Sequence, residues 1–371
     1  MPTPPPAPGN RYAFDQRAIQ LGKTLFFDPR LSRSGDVACA SCHRPDQYFT
    51  DGKVRALGAD IGKRNTPSLQ GVAYNTWFFW DGRKDSLWSQ ALAPLENPVE
   101  HDFSRTELVQ LLLKDKQYLS SYTALFGAPQ QEQLASLPAQ AQPSGTLEQI
   151  KAWKSLSQPQ RDAIDQVFAN LGKALAAFVT TLPPVTTRFD DYVAALSHGE
   201  DGNTALSTEE QQGLRLFISP DKQCLNCHFG PLLTNQDFHN VGTGRAGIDS
   251  GRAAALDNVR LDRFNCLGAY SDAGPDDCRD LQFMQRDRHA LWGAFKTPTL
   301  RNVSNTPPYF HDGRSPDLGA VLDHYTQLKP GEAHLQPITL TGDEKQALLA
   351  FLKALAAKPT AQAQLTVPAL K

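Results

Sequence analysis

The sequence predicts a mostly α-helical protein built from two similar units, and three observations carry that prediction. A five-residue pattern occurs twice, as Cys39-Ala40-Ser41-Cys42-His43 and as Cys224-Leu225-Asn226-Cys227-His228. Each copy follows a similar lead-in: residues 21–27 before Asp28 and Pro29, residues 213–217 before Ser219 and Pro220. Each lead-in reads as a helix that stops at a turn, so the chain holds a divergent internal repeat. Elsewhere apolar residues recur at helical spacing, and alternating runs are scarce.

The repeated pattern is C-x-x-C-H, the attachment site of a c-type haem. Two thiols can form thioethers to the vinyl groups, and the adjacent imidazole then meets the iron. A zinc site would need further ligands at finger or ribbon spacing, and none follows either copy. A thioredoxin-like C-x-x-C belongs in a βαβ pattern, which is absent. The fold class is therefore mostly α, with two cytochrome-c-like domains at residues 1–163 and 164–371. One covalent haem c is expected on Cys39, Cys42 and His43, and a second on Cys224, Cys227 and His228.

Along the chain, residues 1–6 are Pro-rich and carry no signal peptide. Covalent haem attachment of this kind takes place outside the bacterial cytoplasm, so a periplasmic protein whose leader has been removed is expected. Residues 127–145, rich in Pro, Gln, Ala and Ser, read as a loop or insertion. Residues 163–182 have apolar side chains at helical spacing and stop at Pro183 and Pro184, which makes them a candidate link between the units. Ser207 with Glu210 fits a capping box opening the helix before the second motif. Cys266 and Cys278 are left over in a Gly/Asp/Pro-rich stretch, and an even pair in an oxidising compartment suggests a disulfide closing a surface loop. The net charge of −2 does not suggest nucleic acid, and no apolar run is long enough to span a bilayer.

A haem that only carries electrons has both axial positions filled, whereas one that reacts with peroxide needs a vacancy. Beyond Met1 the chain has one methionine, Met284, and no histidine lies between His43 and His101. The first haem is thus poor in candidate distal ligands and is expected to be the five-coordinate, high-spin, peroxide-reactive one.

Four further segments add a resemblance. Phe79-Trp80-Asp81-Gly82-Arg83, then residues 90–94 with 97–100, then residues 295–302, and finally residues 308–313 around Phe310-His311-Asp312-Gly313 resemble the bacterial dihaem cytochrome c peroxidase/MauG superfamily, in order and over nearly the whole chain. In that superfamily the position fourteen after the histidine of the last motif is usually methionine in peroxidases and tyrosine in MauG-type enzymes; here it is Tyr325. The resemblance implies an oxidoreductase that uses hydrogen peroxide to form a bis-Fe(IV) state, with the second, low-spin iron held by His228 and Tyr325. Neighbouring His324 is the alternative ligand, and only one of two adjacent helical residues can face the iron.

The resemblance carries over further roles. Trp80 would bridge the two haems electronically. Glu100 would be the distal carboxylate of the first haem, moving a proton between the oxygens of peroxide. Gln90 and Pro94 match other distal positions, Gln90 as a hydrogen-bond donor, and His101 is either a second acid/base or a rim residue. Asn65, Thr306 and Pro308 match a calcium site, supplying amide and carbonyl oxygens. In the MauG branch a tryptophan stands two positions before the second C-x-x-C-H; here that residue is Lys222. Any electron exit towards a docked protein must lie elsewhere, with Trp77, Trp88, Trp153, Trp292 and Tyr270 as candidates. The Cys266–Cys278 stretch resembles the MbnH type, MauG-like enzymes paired with a small copper-binding protein, which implies oxidation of a partner tryptophan to kynurenine. Two other readings remain open. One is a peroxidase reducing peroxide to water with electrons from a small redox protein; the other is a non-enzymatic electron carrier.

Overall fold

The structure, a computed structural model, describes residues 4–5, 7–244, 249–329 and 331–358. Met1 and the chain after residue 358 lie outside them. Helices dominate, and their order is α1 (Gln16–Phe27), α2 (Cys39–Cys42), α3 (Leu87–Glu96), α4 (Arg105–Lys114), α5 (Lys116–Phe126), α6 (Gln131–Leu134), α7 (Leu147–Ser155), α8 (Gln158–Thr180), α9 (Arg188–Ser197), α10 (Thr208–Ile218), α11 (Arg252–Leu261), α12 (Arg279–Gln282), α13 (Leu318–Thr326) and α14 (Gly342–Ala354). Two short strands, β1 (Phe238–His239) and β2 (Phe295–Lys296), pair antiparallel, with His239 opposite Phe295 and Phe238 opposite Lys296.

Side chains that satisfy orphan backbone amides set many of the helix starts. The expected box at Ser207 forms: Ser207 Oγ accepts from Glu210 N, and Glu210 Oε2 accepts from Ser207 N. Boxes at Ser104, Ser157, Thr187 and Thr341 open α4, α8, α9 and α14 in the same way.

The internal repeat is visible in the packing. In the N-terminal unit α1 lies across α8, and Phe26 meets Phe178 with ring centroids 5.1 Å apart. In the C-terminal unit α10 lies across α14, and Phe217 meets Phe351 at 5.2 Å. Each crossing is closed by a lead-in glycine. A Cβ on Gly22 would sit 1.9 Å from the Ala174 carbonyl oxygen, and one on Gly213 would sit 1.9 Å from that of Ala347. No larger residue fits either crossing without parting the helices.

The predicted helix at 163–182 runs from Gln158 to Thr180 and from Ala163 onwards is buried except at Gln166. Residues 163 and 164, where the two expected domains meet, lie inside it, and it packs in the N-terminal core. The stretch 127–145 contains the short helix α6 and does not stand off as a free loop. Leu134, Ala141 and Gln142 are buried, and Ala141 N donates to Thr106 Oγ1 at 2.7 Å. Cys266 and Cys278 are joined, Cα to Cα 5.7 Å. The bond closes the expected loop, whose residues 267, 269, 272, 274, 276 and 277 are exposed, but the disulfide itself is not at the surface. Both cysteines are buried in a separate apolar cluster with Trp77, Phe238, Leu256 and Met284.

Candidate functional site

In the C-terminal unit a large, mainly apolar cavity is lined by Cys224, Cys227, His228, His239, Phe295, Lys296, His311 and Tyr325, with Trp80 contributed by the N-terminal unit. His228 Nδ1 is bonded to the Leu233 carbonyl at 2.9 Å, while Nε2 makes no hydrogen bond among the described residues. A backbone carbonyl on Nδ1 fixes the tautomer that leaves Nε2 as a ligand. Burial pushes this imidazole down to about 4, so it is neutral at ordinary pH. Tyr325 projects from α13 into the same cavity, near both thiols, and burial pushes its phenol above the usual range. His324 is engaged elsewhere: its Nε2 bonds the Val241 carbonyl at 2.7 Å. Met284 does not reach this cavity either; it sits in the disulfide cluster.

The N-terminal motif is arranged alike. His43 Nδ1 is bonded to the Phe49 carbonyl at 3.0 Å, and burial lowers the pKa of the ring. Burial also pushes Cys39 up to about 12 and Cys42 up to about 11, with Glu100 adding to both. Cys224 is likewise pushed up to about 11. Four free thiols beside two buried imidazoles suit thioether attachment of a haem in each unit.

Glu100 lies at the edge of this site in a tight turn after α3. Its carboxyl pKa is raised by burial, opposed by Arg83 and by a hydrogen bond from Asn97 Nδ2. His101 is buried rather than placed on a rim. Its Nδ1 holds the Leu31 carbonyl at 2.8 Å, and its Nε2 lies 4.0 Å from Cys39 Sγ. Pro94 stands inside α3, and its carbonyl accepts from Asn97 N and His101 N at 3.3 and 3.2 Å, which ties the helix to the Glu100 turn. Gln90 is half-buried on α3 four residues earlier.

Sequence reading missed how far the repeat extends. Residues 65–94 align with 296–325 at a constant offset of 231 positions and without a gap. The backbone follows: Phe79 and Phe310 have φ of 66° and 67°, and Gly82 and Gly313 both have 66°. Bridges join Phe78 to Lys84 and Tyr309 to Ser315. Ser86 and Asp317 cap the helices that follow, α3 and α13. At that offset Asn65 matches Lys296, Trp80 matches His311 and Pro94 matches Tyr325. The signal was the twin Phe-x-Asp-Gly-Arg at residues 79–83 and 310–314.

Asn65, Thr306 and Pro308, the predicted calcium residues, are all among the residues that line the C-terminal cavity. Asn65 Nδ2 donates to the Lys53 carbonyl at 2.8 Å, which leaves Oδ1 as the free donor atom. Trp80 is fixed beside Asn65, its Nε1 donating to the Asn65 carbonyl at 3.0 Å. Lys222 is buried, with Nζ on the Thr339 carbonyl and close to Asp221 and Glu344. Trp77, Trp88, Trp153 and Tyr270 are each at most 9% exposed, whereas Trp292 is 50% exposed.

Fold and sites together define a two-unit protein of the c-type cytochrome class, with one C-x-x-C-H motif in each half. The chain belongs to the di-haem cytochrome c peroxidase family, whose model matches residues 16–197. It is 31% identical to the methylamine utilization protein MauG of Methylorubrum extorquens, over 95% of this chain and 81% of that protein. It is 28% identical to cytochrome-c peroxidase IdrP2 of Denitromonas iodatirespirans, over 94% of this chain and 84% of that one. Its fold matches the crystal structure of a MauG-like protein associated with microbial copper homeostasis, with a TM-score of 0.66 and 24% identity over 98% of this chain and 96% of the other. The protein is therefore a haem-dependent, peroxide-using oxidoreductase, and membership of a di-haem family implies two c-type haems. No helix among the described residues is long and apolar enough to cross a membrane.

Proposed function

We propose that this protein uses hydrogen peroxide to oxidise a residue on a partner protein, with the two units dividing the work. The observation that carries the reading is Tyr325, which lines the C-terminal cavity with His228 while His324 and Met284 are held elsewhere. A buried phenol gives up its proton only against a cation, and a phenolate favours a high oxidation state of iron far more than a thioether does. His43 and His228 would hold the haem irons, and Cys39, Cys42, Cys224 and Cys227 would be the points of attachment. When bound, the haems would supply the redox chemistry that takes two oxidising equivalents from one peroxide.

The chain's own groups do the rest. Glu100, with its carboxyl pKa raised by burial, moves a proton from one peroxide oxygen to the other, and Gln90 donates a hydrogen bond. Pro94 presents no donor atom from its side chain and leaves that face open. Trp80 bridges the units, and Asn65, Thr306 and Pro308 would hold calcium. Trp292 is the exit to a docked protein, because the other candidates are covered and Lys222 cannot carry the hole. The partner is a small periplasmic, copper-binding protein, and the oxidised residue a tryptophan converted to kynurenine. The MauG relatives and the fold likeness to a copper-homeostasis protein support this choice. The division between the units falls after α8, at Pro183 and Pro184, since α8 packs in the N-terminal core.

Electron paramagnetic resonance of the ferric protein tests the asymmetry: one high-spin and one low-spin centre are expected, and Tyr325→Phe should alter the low-spin one alone. Two low-spin centres would sink the reading. Mixing enzyme, peroxide and the partner, then weighing the partner for added oxygen, tests the substrate. Relatives named cytochrome-c peroxidase keep a second reading in play, and rapid turnover with reduced cytochrome c would favour it.

A further inference from the structure

Arg252 opens α11 and is 2% exposed. Its guanidinium lies 4.2 Å from the ring centre of Trp77 and 4.3 Å from that of Phe238, so it packs over both of these neighbouring rings. It donates to the Gly82 carbonyl, to the Asp81 carbonyl at 3.5 Å and to Met284 Sδ at 3.8 Å. Space for it depends on Gly82, where a Cβ would collide with Arg252 and Phe238. All these partners are neutral. Arg252 forms no ion pair among the described residues: of the carboxylates that act on it, Asp81 is already taken by Arg64 and Arg83, and Asp237 lies beyond ion-pair distance. Burying an arginine with no carboxylate in contact is costly, and packing alone would be met more cheaply by leucine or methionine.

The position explains the cost. Trp77 is three residues from Trp80, in the same segment, and Phe238 adjoins His239, which lines the C-terminal cavity. Trp77 and Met284 are the readily oxidised side chains of the cluster around the disulfide. A full positive charge on the face of an indole favours the neutral ring through its quadrupole and disfavours the radical cation left when an electron is removed. We propose that Arg252 is a positioning residue that bars Trp77, and Met284 behind it, from being oxidised when the protein reacts with peroxide, so that oxidising equivalents leave by another route. This goes beyond the proposed function and needs only the peroxide chemistry of the family, whichever substrate is oxidised.

The step being blocked is the insertion of one oxygen into the indole. Peroxide takes two electrons from the ring, one oxygen ends on the ring as a hydroxyl group and the other leaves as water. The test is peptide mass spectrometry of the holoprotein after one to a few equivalents of hydrogen peroxide without reductant, reading the +16 mass at each tryptophan and methionine. The unsubstituted protein should leave Trp77 unmodified while exposed Trp292 is oxidised. Arg252→Gln, which keeps a donor for Gly82 but removes the charge, should raise oxidation of Trp77 by on the order of tenfold. Arg252→Lys should stay protected. Near-ultraviolet circular dichroism identifies folded variants. A folded Arg252→Gln protein with intact Trp77, or an Arg252→Lys protein as sensitive as Arg252→Gln, overturns the proposal. So does oxidation of Trp77 in the unsubstituted protein at the first equivalent, a result that requires no variant to fold. Failure of partner oxidation with Trp77 still protected would count against the proposed function and leave this inference standing.

Discussion

Residues 65–94 and 296–325 share one backbone plan and differ in the side chains hung on it. Both enter a left-handed residue, turn at an Asp-Gly-Arg, and start a capped helix. Fourteen positions after Trp80 that helix presents Pro94, and fourteen after His311 its twin presents Tyr325. Pro94 has no polar side-chain atom, whereas Tyr325 has a phenol aimed among two thiols and an imidazole. Duplication gives two equivalent frames, and one substitution at an equivalent place is enough to make them chemically unequal. The remaining asymmetry lies in what was added: Glu100 and His101 after α3, and the disulfide-bearing stretch between the second motif and β2.

The largest test of that contrast is Glu100→Gln. Gln keeps the size and the contact with Asn97 but cannot carry a proton, so the reaction with peroxide should slow roughly 10²–10⁴-fold in stopped-flow mixing. The C-terminal spectrum should not change, and an unaffected rate would remove Glu100 from the chemistry. Next comes Tyr325→Phe, which makes the C-terminal helix as donor-free as its twin. The oxidised protein should decay roughly tenfold faster or more, with the initial peroxide reaction little altered. Equal loss in both phases would mean that the two frames do not divide their labour as proposed.

Much of this was legible in the residues. C-x-x-C-H fixes cofactor attachment because covalent chemistry tolerates little variation in spacing, and the lead-in helices were readable from periodicity. The Ser207 cap is a local rule and held for the same reason. What escaped was set by contact between distant segments. Nothing within residues 127–145 shows that Ala141 will meet Thr106, and nothing within residues 265–278 shows that the disulfide will be buried. That His324 is held away from the cavity depends on the Val241 carbonyl, 83 positions away, capturing the imidazole. The offset repeat was visible in principle, but its two copies share short words rather than a hydrophobic pattern.

Asp85 sharpens the comparison, because its twin position is Pro316. One Asp85 oxygen accepts from Cys266 N at 2.7 Å, which ties the N-terminal frame to the disulfide stretch, and the other is buried without a partner. Burial, reinforced by Asp262, pushes its carboxyl up to about 6 from an ordinary 3.8. The folded state therefore keeps a proton that the unfolded chain releases. Stability should fall as pH rises from 3.8 to about 6, and the full cost is present above that. Asp85→Asn should gain about 2 kcal/mol at pH 7 and nothing below pH 4, read from denaturant melts at both pH values. A gain equal at the two pH values would show that ionisation is not the cause.

The smallest expected effect asks whether the two crossings are equally tight. Gly22→Ala and Gly213→Ala each place a methyl group against a backbone carbonyl on the facing helix, Ala174 in one unit and Ala347 in the other. Overpacking of that kind costs about 1–3 kcal/mol. Alanine recovers somewhat under 1 kcal/mol because it is the better helix former, so a net loss of about 1–2 kcal/mol remains at each site. Gly342→Ala, at the start of α14 where a Cβ would meet nothing within 4 Å, shows the propensity gain alone and should be neutral or slightly stabilising. Thermal melts of the three variants separate the terms. If Gly22→Ala lowers the midpoint and Gly213→Ala does not, α10 can slide on α14 where α1 cannot on α8, and the two units are mechanically as well as chemically unequal.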